Sequence, residues 1–308
     1  MMPPPELLTT VRGTEVVCAG VVHVYPGEDA PIVALRNVDL RVAPGEMLAV
    51  IGPSGSGKST LLALLGGLMH PTAGVILIGE NDMTGLDGRE LARLRATELA
   101  LLLQDPLQNL LPYATAMENL AFAQRGARRR RWPLRWSPDE LVEAFGLGPV
   151  ARRPMYRLSG GEQQRVAIVG AMATSPRVLL ADEPTARLDP GGRDAVIDNL
   201  RRAHELSGAT VIIVTHDTAL ADALPRTLGI AHGVLGSERR AGRRLAVADR
   251  GGSVQLPPEI AAQFPAGTVF AVTVEDGVVQ LRPERAVAPE PGARADGEPN
   301  TDGPARDA

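Results

Sequence analysis

The feature that most constrains this chain is the run Gly52-Pro53-Ser54-Gly55-Ser56-Gly57-Lys58-Ser59-Thr60, set directly after the apolar stretch Met47-Leu48-Ala49-Val50-Ile51. It fits G-x-x-x-x-G-K-[ST] between a strand and a helix. The spacing has a physical reason. Glycines let backbone wrap closely around an anion, successive N–H groups form a nest, and the following helix points its positive end at the same spot. The apolar stretch reads as a strand covered on both faces, and helical patterning runs from Lys58 to about Leu68.

The basic residues single out one atom of this site. Lys and Arg total 32, and 31 of them are Arg; the one lysine is Lys58. Where a coding bias has replaced every other lysine, the survivor marks a place that needs a compact ammonium rather than a planar fork. Lys58 would reach the β- and γ-phosphates of a nucleotide, and Ser59 would offer its hydroxyl to Mg²⁺.

Composition bounds the rest. The 308 residues are 44% apolar and 22% charged, enough to bury a large core. A net charge of −4 argues against a dedicated nucleic-acid binder. The single cysteine, Cys18, lies among Val16, Val17 and Ala19 and reads as a buried strand thiol with no disulfide to make. No basic segment followed by an apolar run opens the chain, and Leu61–Met69 is about half the ~20 residues of a membrane span, so a cytosolic location is expected.

Strand-like runs at 14–25, 32–43, 74–79, 99–103, 178–181 and 210–214 alternate with helices near 87–97, 161–174 and 191–207. Residues 105–157 read as mainly helical, interrupted by an Arg-rich insert at 125–135. This alternation predicts an α/β fold with a mainly parallel sheet. Residues 237–244 read as a charged connector, 245–282 as short strands with one Pro-started helix, and 283–308 as disordered for want of apolar residues.

Val178-Leu179-Leu180-Ala181-Asp182-Glu183 supplies the carboxylates that a phosphate site requires at a strand end. Asp182 would hold Mg²⁺, directly or through water. Glu183 is placed to act as general base toward an attacking water, a role worth roughly 10²–10⁴-fold in rate. About twenty residues upstream, Leu158-Ser159-Gly160-Gly161-Glu162-Gln163-Gln164-Arg165 reads as a helix start in which Ser159 and Glu162 form a capping box around two glycines.

In that order and spacing, the run resembles the signature motif of ABC-type ATPases. The resemblance covers roughly residues 14–236 and implies ATP hydrolysis. It further implies a mainly parallel sheet, an antiparallel β subdomain and a helical subdomain at about 105–165. By the same resemblance, Tyr25 looks like the aromatic that stacks on adenine, Gln104 like the glutamine that touches Mg²⁺ and water and senses a transmembrane partner, Asp189 like the D-loop aspartate, and His216 like the histidine that contacts the γ-phosphate. Arg187 departs from the family, which carries something small or neutral there. His23, His70, His204 and His232 fit no pattern and read as structural.

One motif set implies a dimer, with itself or a paralogue, in which Ser159-Gly160-Gly161 closes on ATP held by the opposite chain. The expected partners are a transmembrane permease and that second ATPase, with no nucleic acid, at the cytoplasmic face of the cell membrane. Asn109-Leu110-Leu111-Pro112 followed by Met117-Glu118-Asn119-Leu120 is similar to the lipoprotein-releasing and macrolide-exporter type. The alternative is a soluble ABC ATPase acting on ribosomes or DNA.

Four divisions follow: a flexible tail at 1–13, the ATP-binding domain at 14–236, an appendage at 237–282 and a disordered tail at 283–308. The appendage is loosely similar to AbrB-like swapped-hairpin domains, and it reads either as a dimerising or regulatory module or as a plain extension packed on the ATPase. Around Trp132 and Trp136, Arg125, Arg128–Arg131 and Arg135 form either a solvated, disordered loop or a contact for permease loops or anionic headgroups.

Overall fold

The computed structural model describes residues 13–28, 30–186, 188–240, 243–247, 254, 256, 260, 263–264, 268–276 and 278–283. The readings made for 1–12, Arg187 and 284–308 lie outside them, as does most of the stretch likened to AbrB-like domains. The chain divides into two units, Met1–Pro257 and Pro258–Ala308. In the second unit, β12 (Phe270–Glu275) and β13 (Val278–Pro283) pair as an antiparallel hairpin, with Phe264 edge-on to Phe270.

The first unit is built on a seven-stranded sheet. Five strands run parallel: β9 (Arg226–Ala231), β3 (Met47–Ile51), β8 (Thr210–Thr215), β7 (Val178–Asp182) and β6 (Leu99–Leu102), in that spatial order. The edge beyond β9 is antiparallel, through β10 (Val234–Arg240) and β11 (Arg243–Ala246). A separate antiparallel sheet holds β2 (Ile32–Val42), β1 (Val16–Tyr25), β4 (Ala73–Ile78) and β5 (Asn81–Asp82) in that order. Cys18 is buried in β1, and burial pushes its thiol up to about 12, so it is inert.

Strand periodicity distributes the core. Met47 and Ala49 of β3 face one apolar cluster, and Leu48 and Val50 face the other. The first cluster is covered by α3 (Ala116–Arg129), α4 (Pro138–Ala144), α5 (Gly160–Met172), α6 (Pro190–Ser207) and α7 (Thr218–Ala223). The second is covered by α1 (Lys58–Leu65), α2 (Gly88–Arg95) and the antiparallel sheet. A strand buried on both faces must read as a continuous apolar run, and β3, β7 and β8 do. Among the described residues, no helix is long and apolar enough to cross a membrane.

Two segments differ from the sequence expectation. The charged stretch 237–244 is largely strand rather than connector. Its charges are paired: Arg226, with 11% of its side chain exposed, sits between Glu238 at 2.9 Å and Glu46 at 3.2 Å, and Arg239 reaches Asp222 at 2.9 Å. Composition cannot distinguish such a laced edge from a solvated linker.

The Arg-rich insert is ordered through its length. Residues up to Arg129 complete α3, and Trp132 N–H bonds Ala127 O while Arg131 N–H bonds Arg128 O, a Schellman closure. Arg131 takes the left-handed position at φ 55°, where glycine would avoid roughly 1–2 kcal/mol of steric cost. The following loop is strapped to the end of α5. Trp132 Nε1–H donates to Ser175 O, Arg135 N–H to Ser175 Oγ, and the buried Gln124 amide to Trp136 O and Ala173 O. His70 and His204 each bond a backbone carbonyl, as structural histidines do.

Glu46 connects stability to pH. Burial opposes its ionisation, but the Ala43 amide, Arg226 and Arg240 outweigh that and hold it below the ordinary glutamate value of 4.5. Its contribution is therefore complete above 4.5 and is lost as pH falls through the lower folded-state value. Replacing Glu46 with Gln should cost about 1–3 kcal/mol at pH 7 by leaving Arg226 short of a partner. Denaturant titrations should show that deficit shrinking as the pH drops below 4, toward the value at which the wild-type carboxyl is itself protonated.

Candidate functional site

The site is assembled at the carboxyl ends of three neighbouring parallel strands, β3, β8 and β7. The loop from Gly52 to Gly57 leaves β3 and turns into α1. Two of its glycines are demanded by backbone packing. A Cβ on Gly52 would run into Ile230 O, and one on Gly57, at φ 103°, would lie 2.6 Å from Ala34 O.

At Gly57, α1 begins without a side-chain cap and with no acid in its first turn. The six other α-helices given above are capped by Asp87, Thr115, Ser137, Ser159, Asp189 and Asp217. Its orphan N–H groups, behind a glycine-lined loop, are donors suited to an anion.

Lys58 is buried in this loop, its ammonium donating to Gly52 O at 2.8 Å and Pro53 O at 2.9 Å. Ser59 Oγ lies 3.4 Å from Asp182 Oδ1 at the end of β7. Burial first, then the neighbouring Glu183 carboxylate, raise the Asp182 pKa, against Ser59 and Lys58, which pull it down. A half-buried carboxylate beside a hydroxyl is a pair of hard oxygen donors, and Mg²⁺ takes such ligands with phosphates and water completing the shell. That chemistry fits the residues present. The described residues contain no cluster of three or more His, Cys, Asp or Glu able to hold a metal by themselves.

Glu183 takes a positive φ of 45°, uncommon for a side chain of its size. The twist turns its carboxylate toward the end of β8. There one oxygen, Oε2, accepts from Thr215 Oγ at 3.0 Å and His216 N–H at 3.1 Å, and lies 2.9 Å from His216 Nδ1. Thr215 is completely buried and also accepts Asp217 N–H at 3.0 Å. Asp217 caps α7, accepts from Thr185 Oγ and pairs with Arg193 of α6 at 2.9 Å.

The sequence reading passed over Thr215. A hydroxyl ending the otherwise apolar run Val211–Val214 was its available signal.

Tyr25 ends β1 with its hydroxyl 3.2 Å from Thr60 Oγ1, so its ring stands beside the start of α1. His23 packs edge-on against it at 4.6 Å. Gln104 is exposed just past β6, next to β7. The loop carrying it is fixed by Asn109, whose amide donates to Leu101 O and accepts Leu103 N–H. Buried Asn119 likewise bonds backbone groups of Leu111, Ala114 and Thr115. The two asparagines of the subgroup stretch thus have structural work.

Ser159, Gly160, Gly161 and Asp189 are not brought to the loop. Among the described residues, no hydrogen bond joins them to residues 52–60. Ser159 and Glu162 form the expected capping box. A Cβ added at Gly160 or Gly161 would meet nothing within 4 Å. Each glycine costs the helix up to about 1 kcal/mol relative to Ala, and no packing contact among the described residues requires it. They leave the capped helix start free of side chains over its first two residues, open to an outside group. Asp189 caps α6 by accepting Gly192 N–H at 2.8 Å.

Comparison with known proteins identifies the family. The family model described as ABC transporter matches residues 35–186. The chain is 43% identical over 212 residues to the lipoprotein-releasing system ATP-binding protein LolD of Anaeromyxobacter dehalogenans, covering 68% of this chain and 88% of that one. It is 39% identical over 224 residues to the macrolide export ATP-binding/permease protein MacB of Rhodopseudomonas palustris, covering 73% of this chain and 34% of MacB. Among solved structures, the dimeric post-hydrolysis state of the ATP-binding cassette MJ0796, bound to ADP and Pi, superposes with a TM-score of 0.63 at 35% identity, covering 74% of this chain and 99% of that one.

The raised Asp182 pKa carries a stability consequence. The folded state binds this proton more tightly than the unfolded chain, so ionised Asp182 opposes folding at neutral pH, and relief comes as pH falls through its folded value. Asp182→Asn should therefore raise the Tm of the nucleotide-free protein at pH 7. The gain should be about 1–3 °C, kept small by residual solvation of the carboxylate. Calorimetry at pH 7 and pH 4 checks it, the difference being smaller at pH 4.

Proposed function

Because the chain belongs to the ABC transporter family, it binds and hydrolyses ATP to energise a membrane permease, and we propose that the residues just described do so in the following roles. The backbone N–H groups of residues 54–59 and the Lys58 ammonium hold the phosphate chain. Tyr25 stacks on adenine, a contact worth about 1–3 kcal/mol. Ser59 and Asp182 would hold Mg²⁺, with Gln104 as a further oxygen donor, and the ion would supply neutralisation of phosphate charge.

Glu183 orients the attacking water and takes its proton. With Oε2 engaged by Thr215 and His216, the oxygen left to receive that proton is Oε1. His216, with two-thirds of its side chain exposed, is the group that meets the γ-phosphate. The observation carrying this reading is the convergence of Ser59 on Asp182 and of His216 on Glu183, at the ends of adjacent strands.

The open Gly160-Gly161 start of α5 suits a second cassette, with Ser159 and both glycines closing on ATP bound by the opposite chain and Asp189 lying at the seam. Likeness to LolD and MacB supports export or mechanical work on a substrate chosen by the permease, with the cassette peripheral on the cytoplasmic face of the membrane.

Glu183→Gln should bind ATP with near-parental affinity, lose roughly 10²–10⁴-fold in turnover and accumulate as a dimer with Mg-ATP on gel filtration. Parental turnover would remove Glu183 as the base. Thr215→Val keeps the shape and deletes one bond to a carboxylate, worth about 1.5–3 kcal/mol. It should lower kcat by about 10–100-fold with KM for ATP unchanged, and Thr215→Ser should restore it. A Thr215→Val enzyme with parental kcat would show that the hydroxyl has no part in positioning Glu183.

A further inference from the structure

The C-terminal end of α3 carries a concentration of charge that the nucleotide site does not use. Arg125, Arg128, Arg129, Arg130 and Arg131 are all exposed. None of them takes part in the ion pairs found among the described residues. Arg128 donates to Gln124 and Arg130 to Gly126 O, both on their own helix, and Arg125 lies 5.6 Å over the half-exposed ring of Phe122.

A helix C-terminus favours cations, and that accounts for Arg128 and Arg129 in the last turn. It does not account for Arg125 a turn earlier, nor for Arg131 in a left-handed conformation better suited to glycine. The chain has a net charge of −4, so these five cations stand against a remainder of −9 (−4 − 5).

We propose that this cluster is a docking surface for the anionic phospholipid headgroups of a bilayer. Three observations favour a lipid surface over a single macromolecular partner. Five exposed guanidinium groups crowd into residues 125–131, on a helix end and the turn after it, with no carboxylate paired to any of them among the described residues, and such unneutralised charge suits a surface of many phosphates.

Next, both tryptophans are committed inward. Trp132 bonds Ser175 O and lies under Arg177, and Trp136 packs on the core beneath Arg135. They are not available to stack on nucleic-acid bases. Last, the loop is anchored to α5 near the start of β7, the end of the sheet opposite Asp182 and Glu183, so the surface can be occupied without touching the nucleotide site.

The proposal rests on the reading that this cassette works at a membrane, and it adds a contact made by the ATPase itself rather than through a permease. The test uses the purified full-length protein and vesicles lacking any permease, with ATPase activity measured alongside. The protein should co-sediment with phosphatidylcholine vesicles containing about 30 mol % phosphatidylglycerol and not with phosphatidylcholine alone. Raising salt toward 0.5 M should release it, since the screening length shrinks from about 10 Å at 0.1 M to about 4 Å.

Each arginine at such a surface is worth roughly a fivefold factor in partitioning, so the combined Arg128→Gln, Arg129→Gln, Arg130→Gln, Arg131→Gln variant should lose on the order of 100-fold or more. Its basal ATPase should match the parent. The corresponding four-lysine variant keeps the charge and should retain binding, which guards against a folding defect in the glutamine variant.

Equal binding to neutral and anionic vesicles, no binding to either, or full binding by a folded glutamine variant would overturn the proposal. So would release by a few millimolar inorganic phosphate, which would mark a small-anion site, or tighter binding to duplex DNA than to the anionic vesicles. Vesicle binding by a protein without ATPase activity would sink the enzymatic reading and leave this one standing. An active ATPase that ignores anionic vesicles would do the reverse.

Discussion

Close approach of backbone to backbone governs this structure. Gly57 passes the Ala34 carbonyl and Gly52 passes Ile230 O at distances that exclude any side chain, and Gly233 meets Ala34 from the other side. These contacts lock the start of α1 between β2 and β9, and so fix where Lys58 and Ser59 emerge. From that point the parallel sheet does the rest. The register Ile51↔Thr215 and Asp182↔Val214 brings the two carboxylates and His216 to the same edge as the loop. A shift of one residue in either pairing would turn Asp182 or Thr215 to the opposite face.

Rules of local stability are broken mainly where the chemistry is expected. α1 begins uncapped, Glu183 sits at a positive φ, the surroundings of Asp182 disfavour its ionisation, and Gly160 and Gly161 weaken α5 with no packing return. Two apolar clusters, one on each face of the sheet, surround these departures. Natural sequences concede stability at functional sites in this way.

How much of this was legible in sequence depends on how local the information is. The strand before Gly52, the carboxylates after Ala181 and the capping box at Ser159 are short-range patterns, and each lies where the chain order indicated. The edge formed by β10 and β11 was not legible, because its Arg and Glu residues look solvated until Arg226 and Glu46 are known to stand opposite. The arginine insert misled for a similar reason. Composition suggests a loose loop, whereas Gln124 and Ser175, residues of no special promise in sequence, hold it down. Thr215 was missed because its role depends on a carboxylate 32 positions away.

In the proposed site, bare backbone and one compact ammonium grip the nucleotide's phosphates. Titration calorimetry of ATP into Lys58→Arg tests this most directly, because this change keeps the charge and alters only its shape. Affinity should fall at least about tenfold while the fold is retained, since a planar guanidinium cannot occupy a pocket bounded by Gly52 O and Pro53 O. Parental affinity in a folded Lys58→Arg protein would contradict it.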